Sequence, residues 1–144
     1  MTDHHDRGVS LILNGFDVHP QSLADEIGYA DVEIIRIGDL VGPRPSTKNR
    51  ITWRAAMYRD GAWDDAVVGL IETLGGIAKL QPMLERVNAK AAWVRLNLPL
   101  IGSPWQESSG LDHRALTLLA ALGLSFDIAF FNYDATRQTH SREA

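Results

Sequence analysis

Leu23-Ala24-Asp25-Glu26-Ile27-Gly28-Tyr29 is echoed late in the chain by Leu118-Leu119-Ala120-Ala121-Leu122-Gly123-Leu124. Each copy reads as a short amphipathic helix closed by a glycine, the residue that most easily takes the left-handed conformation ending a helix. An apolar strand precedes each copy, Val9 to Phe16 and Trp93 to Ile101. Another follows, Val32 to Ile37 and Phe126 to Tyr133. Two strand–helix–strand units near opposite ends of the chain predict an α+β domain with an internal pseudo-repeat.

The stretch between the two units fills in the layout. Pro20 suits a first helical turn, where its missing N–H costs little. Gly38 to Arg50 holds two close prolines, Pro43 and Pro45, and reads as an irregular loop. Ile51 to Arg59 alternates as a third strand, and Asp60-Gly61 supplies a turn. Asp64-Asp65 opens a helix with Val67, Leu70, Ile71 and Leu74 on one stripe, and Gly75-Gly76 breaks it. A second helix follows from about Lys79 to Val87, and Pro82 must then fall in its first turn or kink it. Asp112 is placed to cap the last helix. The order is β-α-β-β-α-α-β-α-β. Its first six regular elements match a ferredoxin-like arrangement when the broken helix pair counts as one. The expected fold is a single α+β domain over residues 9–134, with a mostly antiparallel sheet of about five strands. The helices should lie mainly on one face. Residues 1–8 and 135–144 read as polar tails.

Composition narrows the chemistry. A chain of 144 residues with 45% hydrophobic and 22% charged residues is an ordinary globular domain, able to hold itself together without disulfides or metal. The absence of cysteine excludes thiolate metal sites, iron–sulfur clusters and cysteine nucleophiles, and fits a reducing compartment. Met1 to Gly8 is polar, unlike a signal peptide, and no apolar run approaches the roughly 20 residues of a membrane span. The expectation is a soluble cytoplasmic protein with no membrane partner. A net charge of −4 argues against nucleic acid, and the basic loop residues Arg44, Lys48 and Arg50 read as solvated.

Several patterns resemble the bacterial domain-of-unknown-function family numbered 4279. They are Asn14-Gly15-Phe16-Asp17-Val18-His19-Pro20 leading to Ile27-Gly28, the helix from Asp64 to Leu74, and Leu119-Ala120-Ala121-Leu122-Gly123-Leu124-Ser125-Phe126-Asp127-Ile128. The likeness runs from about residue 9 to residue 134. Ile51-Thr52-Trp53-Arg54 departs from it, since the resemblance implies a more polar setting for that tryptophan. The resemblance implies a small, soluble bacterial α+β protein and carries over no catalytic residue. Some such families accompany secreted toxins as immunity proteins.

No catalytic or metal motif stands out, and no cofactor is expected. His4 and His5 lie in the polar start. His113 has no nucleophile beside it in sequence, so it reads as a solvent-facing helix residue. Asp64-Asp65 are the first-turn acids that a helix dipole favours. Ser108-Ser109-Gly110 lacks a nucleophile-elbow setting, and Gly75-Gly76 lacks the spacing of a phosphate loop. Strand alternation gives the more informative constellation. In the fourth strand Ala92, Val94, Leu96 and Leu98 belong to the core, and Trp93, Arg95 and Asn97 to the other face. In the last strand Phe126, Ile128 and Phe130 should face the helices, and Asp127, Phe131 and Tyr133 the opposite side. Arg54 and Tyr58 join this second group. Aromatics mixed with arginines are enriched at interfaces. Trp93, Arg95, Asp127, Phe131 and Tyr133 are thus the candidate interaction face. Three readings are open for it: a face covered by the chain's own tail or loop with a structural Arg95–Asp127 pair, a protein interface (a homodimer included), or a small-molecule pocket. The expected function is a non-enzymatic interaction domain, of the immunity kind or otherwise. The alternative is a small-molecule-binding or hydrolytic enzyme with a pocket near Asp127.

Overall fold

A computed structural model of the chain describes residues 7–57, 61–100 and 110–132. The elements are β1 (Gly8–Asn14), α1 (Pro20–Ile27), β2 (Val32–Ile35), β3 (Leu40–Val41), β4 (Arg44–Pro45), β5 (Arg50–Ala56), α2 (Trp63–Thr73), α3 (Gly76–Val87), β6 (Ala91–Leu100), α4 (His113–Ala121) and β7 (Ser125–Asn132). Five strands form one sheet in the order β2-β5-β1-β6-β7. The pairs β1·β5, β1·β6 and β2·β5 are antiparallel, and β6·β7 is parallel. β2, β5, β1 and β6 have the order and antiparallel pairing of a ferredoxin-like sheet. The crossover through α4 then adds β7 beside β6.

Both echoed segments end as their glycines require. Gly28 closes α1 at φ +73°, its N–H donating to the Ala24 carbonyl. Gly123 follows α4 at φ +67°. The start of α1 is capped by His19, whose Nδ1 accepts from the Gln21 amide at 3.2 Å. The core lies between the sheet and the helices. Val9, Leu11 and Leu13 of β1, Ile51 and Trp53 of β5, and Val94, Leu96 and Leu98 of β6 point into it. Leu23, Val67, Leu70, Ile71, Leu80, Met83 and Leu119 close it from the helices. Trp53 is fully buried, not in the more polar setting that the resemblance implies.

Three expectations need correction. The Gly38–Arg50 segment is not wholly irregular. Leu40 pairs with Pro45 and Val41 with Arg44 in a small hairpin. In a two-stranded ladder of two residues each, one missing proline N–H interrupts little. Asn49 holds this excursion to the body, donating from Nδ2 to the Phe16 carbonyl at 2.9 Å and accepting from the Ile37 amide at 3.0 Å. Pro82 sits in the interior of α3 rather than its first turn, because the helix begins earlier, at Gly76. Ala78, whose carbonyl loses its donor to Pro82, is exposed, so solvent can supply the missing partner. Finally, Phe126, Ile128 and Phe130 do share the helix side of the sheet with Val94, Leu96 and Leu98, yet they remain exposed. The helices stop short of this edge strand.

The α2–α3 junction turns by 72°. Gly75 makes the turn possible, with φ +120° and a Cβ position that would lie 2.5 Å from Lys79 Cδ. No single described helix is long and apolar enough to cross a membrane.

Candidate functional site

Alternation along each strand decides what the face away from the helices displays. It receives Ser10 and Ile12 from β1, Arg50, Thr52 and Arg54 from β5, Trp93, Arg95 and Asn97 from β6, Asp127 and Phe131 from β7, and Glu33 from β2. Cross-strand register places Ser10 between Arg54 and Arg95, and Ile12 between Thr52 and Trp93. The sheet is concave here, with a cavity of about 580 Å³ reaching from Asp31 and Glu33 across to Arg95 and Phe131.

Of the predicted face residues, Trp93, Arg95, Asp127 and Phe131 are brought together with Arg54. Tyr133 and Tyr58 lie outside the described residues. Arg95 and Asp127 form a two-pronged pair, Nε donating to Oδ1 at 3.1 Å and Nη2 to Oδ2 at 3.0 Å. That geometry satisfies Asp127 and holds Arg95 across the parallel strand pair. Arg54 donates to Glu33 Oε2 at 3.1 Å. Asn97 Nδ2 donates to Ser10 Oγ at 3.3 Å. The Arg50 and Arg95 guanidinium groups each lie over the Trp93 ring, 5.6 Å from its centroid.

Arg50 differs from its neighbours. It has no carboxylate partner among the described residues, and its Nε is buried without a hydrogen-bond acceptor. Its contact is the face of Trp93. Sequence grouping puts Arg50 with Arg44 and Lys48 in a loop, but it is the first residue of β5. Extending the β5 alternation back by one residue gives Arg50, Thr52 and Arg54 as one row, which is the signal that locates it. Ser10 and Thr52 carried no signal at all, since a small hydroxyl in a strand is commonplace. They are 3% and 6% exposed and form the floor.

The cavity is positive although the chain is acidic. Arg7, Arg50, Arg54 and Arg95 line it against Asp31 and Glu33. Arginine does not give up its proton near neutral pH, so this row binds charge rather than moving protons. Among the described residues the lining offers no histidine or lysine; its carboxylates are Asp31 and Glu33, and its hydroxyls Ser10 and Thr52. Among the described residues no cluster of histidine, aspartate or glutamate has the arrangement to hold a metal ion.

The remaining candidates are structural. Asp64 Oδ1 accepts from the amides of Asp112 at 2.9 Å and Ala115 at 3.3 Å, and Oδ2 accepts from Arg114 Nε at 3.0 Å. Arg114 also pairs with Asp65. The two acids therefore fasten the start of α4 to the start of α2. His113 is exposed, its Nδ1 2.9 Å from Asp112 Oδ1. The His113 amide and ring hold the Asp112 carboxyl below the usual aspartate range. No protein-family model matches the chain, and no curated protein or solved structure matches it either.

Proposed function

We propose that this chain is a non-enzymatic binding domain that takes an acidic segment of a partner protein on the open face of its sheet. The observation that carries the reading is Arg50, a cation inside a concave face, held against Trp93 and lacking a carboxylate partner among the described residues. Arg50 is half-buried, and its buried Nε has no acceptor, a polar group that an incoming anion would satisfy. Arg54 and Arg95 already have acidic partners, so they set the shape of the site and Arg50 supplies the free charge. Ser10 and Thr52 on the floor and the Trp93 ring complete a surface with a polar centre and an aromatic wall.

The small-molecule reading has one observation in its favour. The cavity falls within the roughly 300–1,000 Å³ of ligand pockets. The hydrolytic form of that reading finds no serine–histidine pair among the described lining residues: the hydroxyls Ser10 and Thr52 lie on the floor, and Glu33 is engaged by Arg54. An immunity role is one case of the interaction reading, and a toxin gene beside this one would be its sign. The cytoplasm is the compartment that a cysteine-free chain fits.

The test is fluorescence polarisation with a labelled glutamate-rich peptide. Binding should weaken by about 10- to 100-fold in Arg50→Ala, the loss of one hydrogen bond to a charged group. It should also weaken with added salt. Peptide binding equal in wild type and variant would overturn the proposal. Complete displacement by inorganic phosphate at low millimolar concentration would shift the assignment to a small anion.

A further inference from the structure

The two edges of the sheet are not alike. β2 is four residues long, carries Glu33, and leads directly into the small β3–β4 hairpin. Short, charged edges of this kind resist pairing. β7 is eight residues long, and among the described residues its one strand neighbour is β6. Its helix-side row is Phe126, Ile128 and Phe130, which are 40%, 39% and 53% exposed. A long apolar edge strand left open is a template for another strand.

We propose that β7 pairs with β7 of a second copy of this chain, edge to edge and antiparallel, about a two-fold axis at Ile128. The occupant follows from the order of residues. The helix-side row Phe126, Ile128 and Phe130 reads the same from either end. In an antiparallel pair directly opposed residues share a face, so position numbers in a homodimer must sum to an even value. Centring the axis on Ile128 sets Phe126 against Phe130 of the second copy and Ile128 against itself. The apolar row then meets only apolar residues. Asp127 meets Ala129, so no like charges are opposed, and each Asp127 keeps its Arg95. Such an isologous contact is the commonest way for a chain to pair with itself. It would join two five-stranded sheets into one of ten, with the helices of both copies on the same side.

The area limits the affinity. A phenylalanine carries roughly 150–250 Å². At the stated exposures Phe126 and Phe130 leave about 200 Å² open per copy. With Ile128 and the strand edge, the contact stays below the roughly 1,200 Å² of a stable interface. The dimer is therefore weak, on the order of micromolar or looser. The apolar row lies on the helix side of β7 and the arginine-lined cavity on the other face, so the two proposals are tested separately.

The chain has no cysteine, so one introduced thiol reports cleanly. In this register the two Ile128 Cβ atoms lie about 4.5–5.5 Å apart, close to what a disulfide spans. Under mild oxidation at about 100 µM, Ile128→Cys should form a disulfide dimer roughly tenfold faster than Thr117→Cys on exposed α4, because the paired thiols see a millimolar effective concentration. Phe126→Cys and Phe130→Cys should cross-link slowly alone and quickly when mixed. Sedimentation of the wild type should show a concentration-dependent dimer that Ile128→Lys removes without lowering the melting temperature. A wild type that stays monomeric at several hundred micromolar, or Thr117→Cys cross-linking as fast as Ile128→Cys, would overturn the proposal.

Discussion

Replacing Asp64 by alanine should loosen α4 and with it the edge strand that α4 delivers. Asp64 is largely buried, its side chain 15% exposed, and it acts on another helix. Asp112 caps α4 at the first amide, that of His113, at 2.6 Å. Asp64 reaches across from α2 to take the Asp112 and Ala115 amides, work ordinarily done by a side chain on the capped helix itself. Loss of a capping side chain costs about 1 kcal/mol, within a range of roughly 0.5–2. Hydrogen bonds to a charged acceptor are worth about 1.5–3 kcal/mol. The Arg114 pair adds little, because Arg114 is 55% exposed and solvent screens it. The expected loss for Asp64→Ala is therefore about 2–3 kcal/mol. In a domain of this size that lowers Tm by roughly 6–12 °C. Asp64→Asn keeps an accepting oxygen and should lose about half as much. Asp65→Ala, at a position 69% exposed, should change stability by less than about 0.5 kcal/mol. Urea unfolding followed by far-ultraviolet circular dichroism gives the free energies. Hydrogen exchange at the Ala115 amide gives the local effect. Equal stability of Asp64→Ala and Asp65→Ala would refute the cap argument.

Two further outcomes follow from the same geometry. Trp53→Ala removes the largest fully buried side chain from the core and should cost about 3–5 kcal/mol in urea unfolding. Asp112 has its pKa lowered by the His113 amide and ring, so its contribution is present above the ordinary aspartate pKa of about 3.9 and is lost as pH falls below it through the lowered native value. Asp112→Asn should flatten the acid limb of the stability–pH curve there and leave neutral behaviour nearly unchanged, as read from urea midpoints across that range.

The strand and helix order was legible in the sequence because period and punctuation agreed. Gly28 and Gly123 end helices where the echoed segments place them, and Asp112 caps α4 through its own carboxylate. What escaped depends on three-dimensional neighbours. Nothing in the local pattern says that Asp64 serves α4, some fifty residues away. Phe126, Ile128 and Phe130 have the alternation of core residues, and their exposure follows from where the helix layer ends. The open face was legible as to side, and Trp93, Arg95, Asp127 and Phe131 share it. Its character was not. The mixed aromatic and arginine face expected there is a trough in which the Arg50 and Arg95 guanidinium groups lie over the Trp93 ring. Arg50 was hidden because the prolines before it make the whole segment look like loop.

Nitrogen-15 NMR titration of the protein with an unlabelled glutamate-rich peptide tests the central claim most directly. Saturable shifts are expected at the Trp93 indole, the Arg50 side chain and the Ser10 and Thr52 amides, lost in Arg50→Ala while the rest of the spectrum is retained. Shifts confined to other surfaces, or none at peptide concentrations well above the protein, would contradict it.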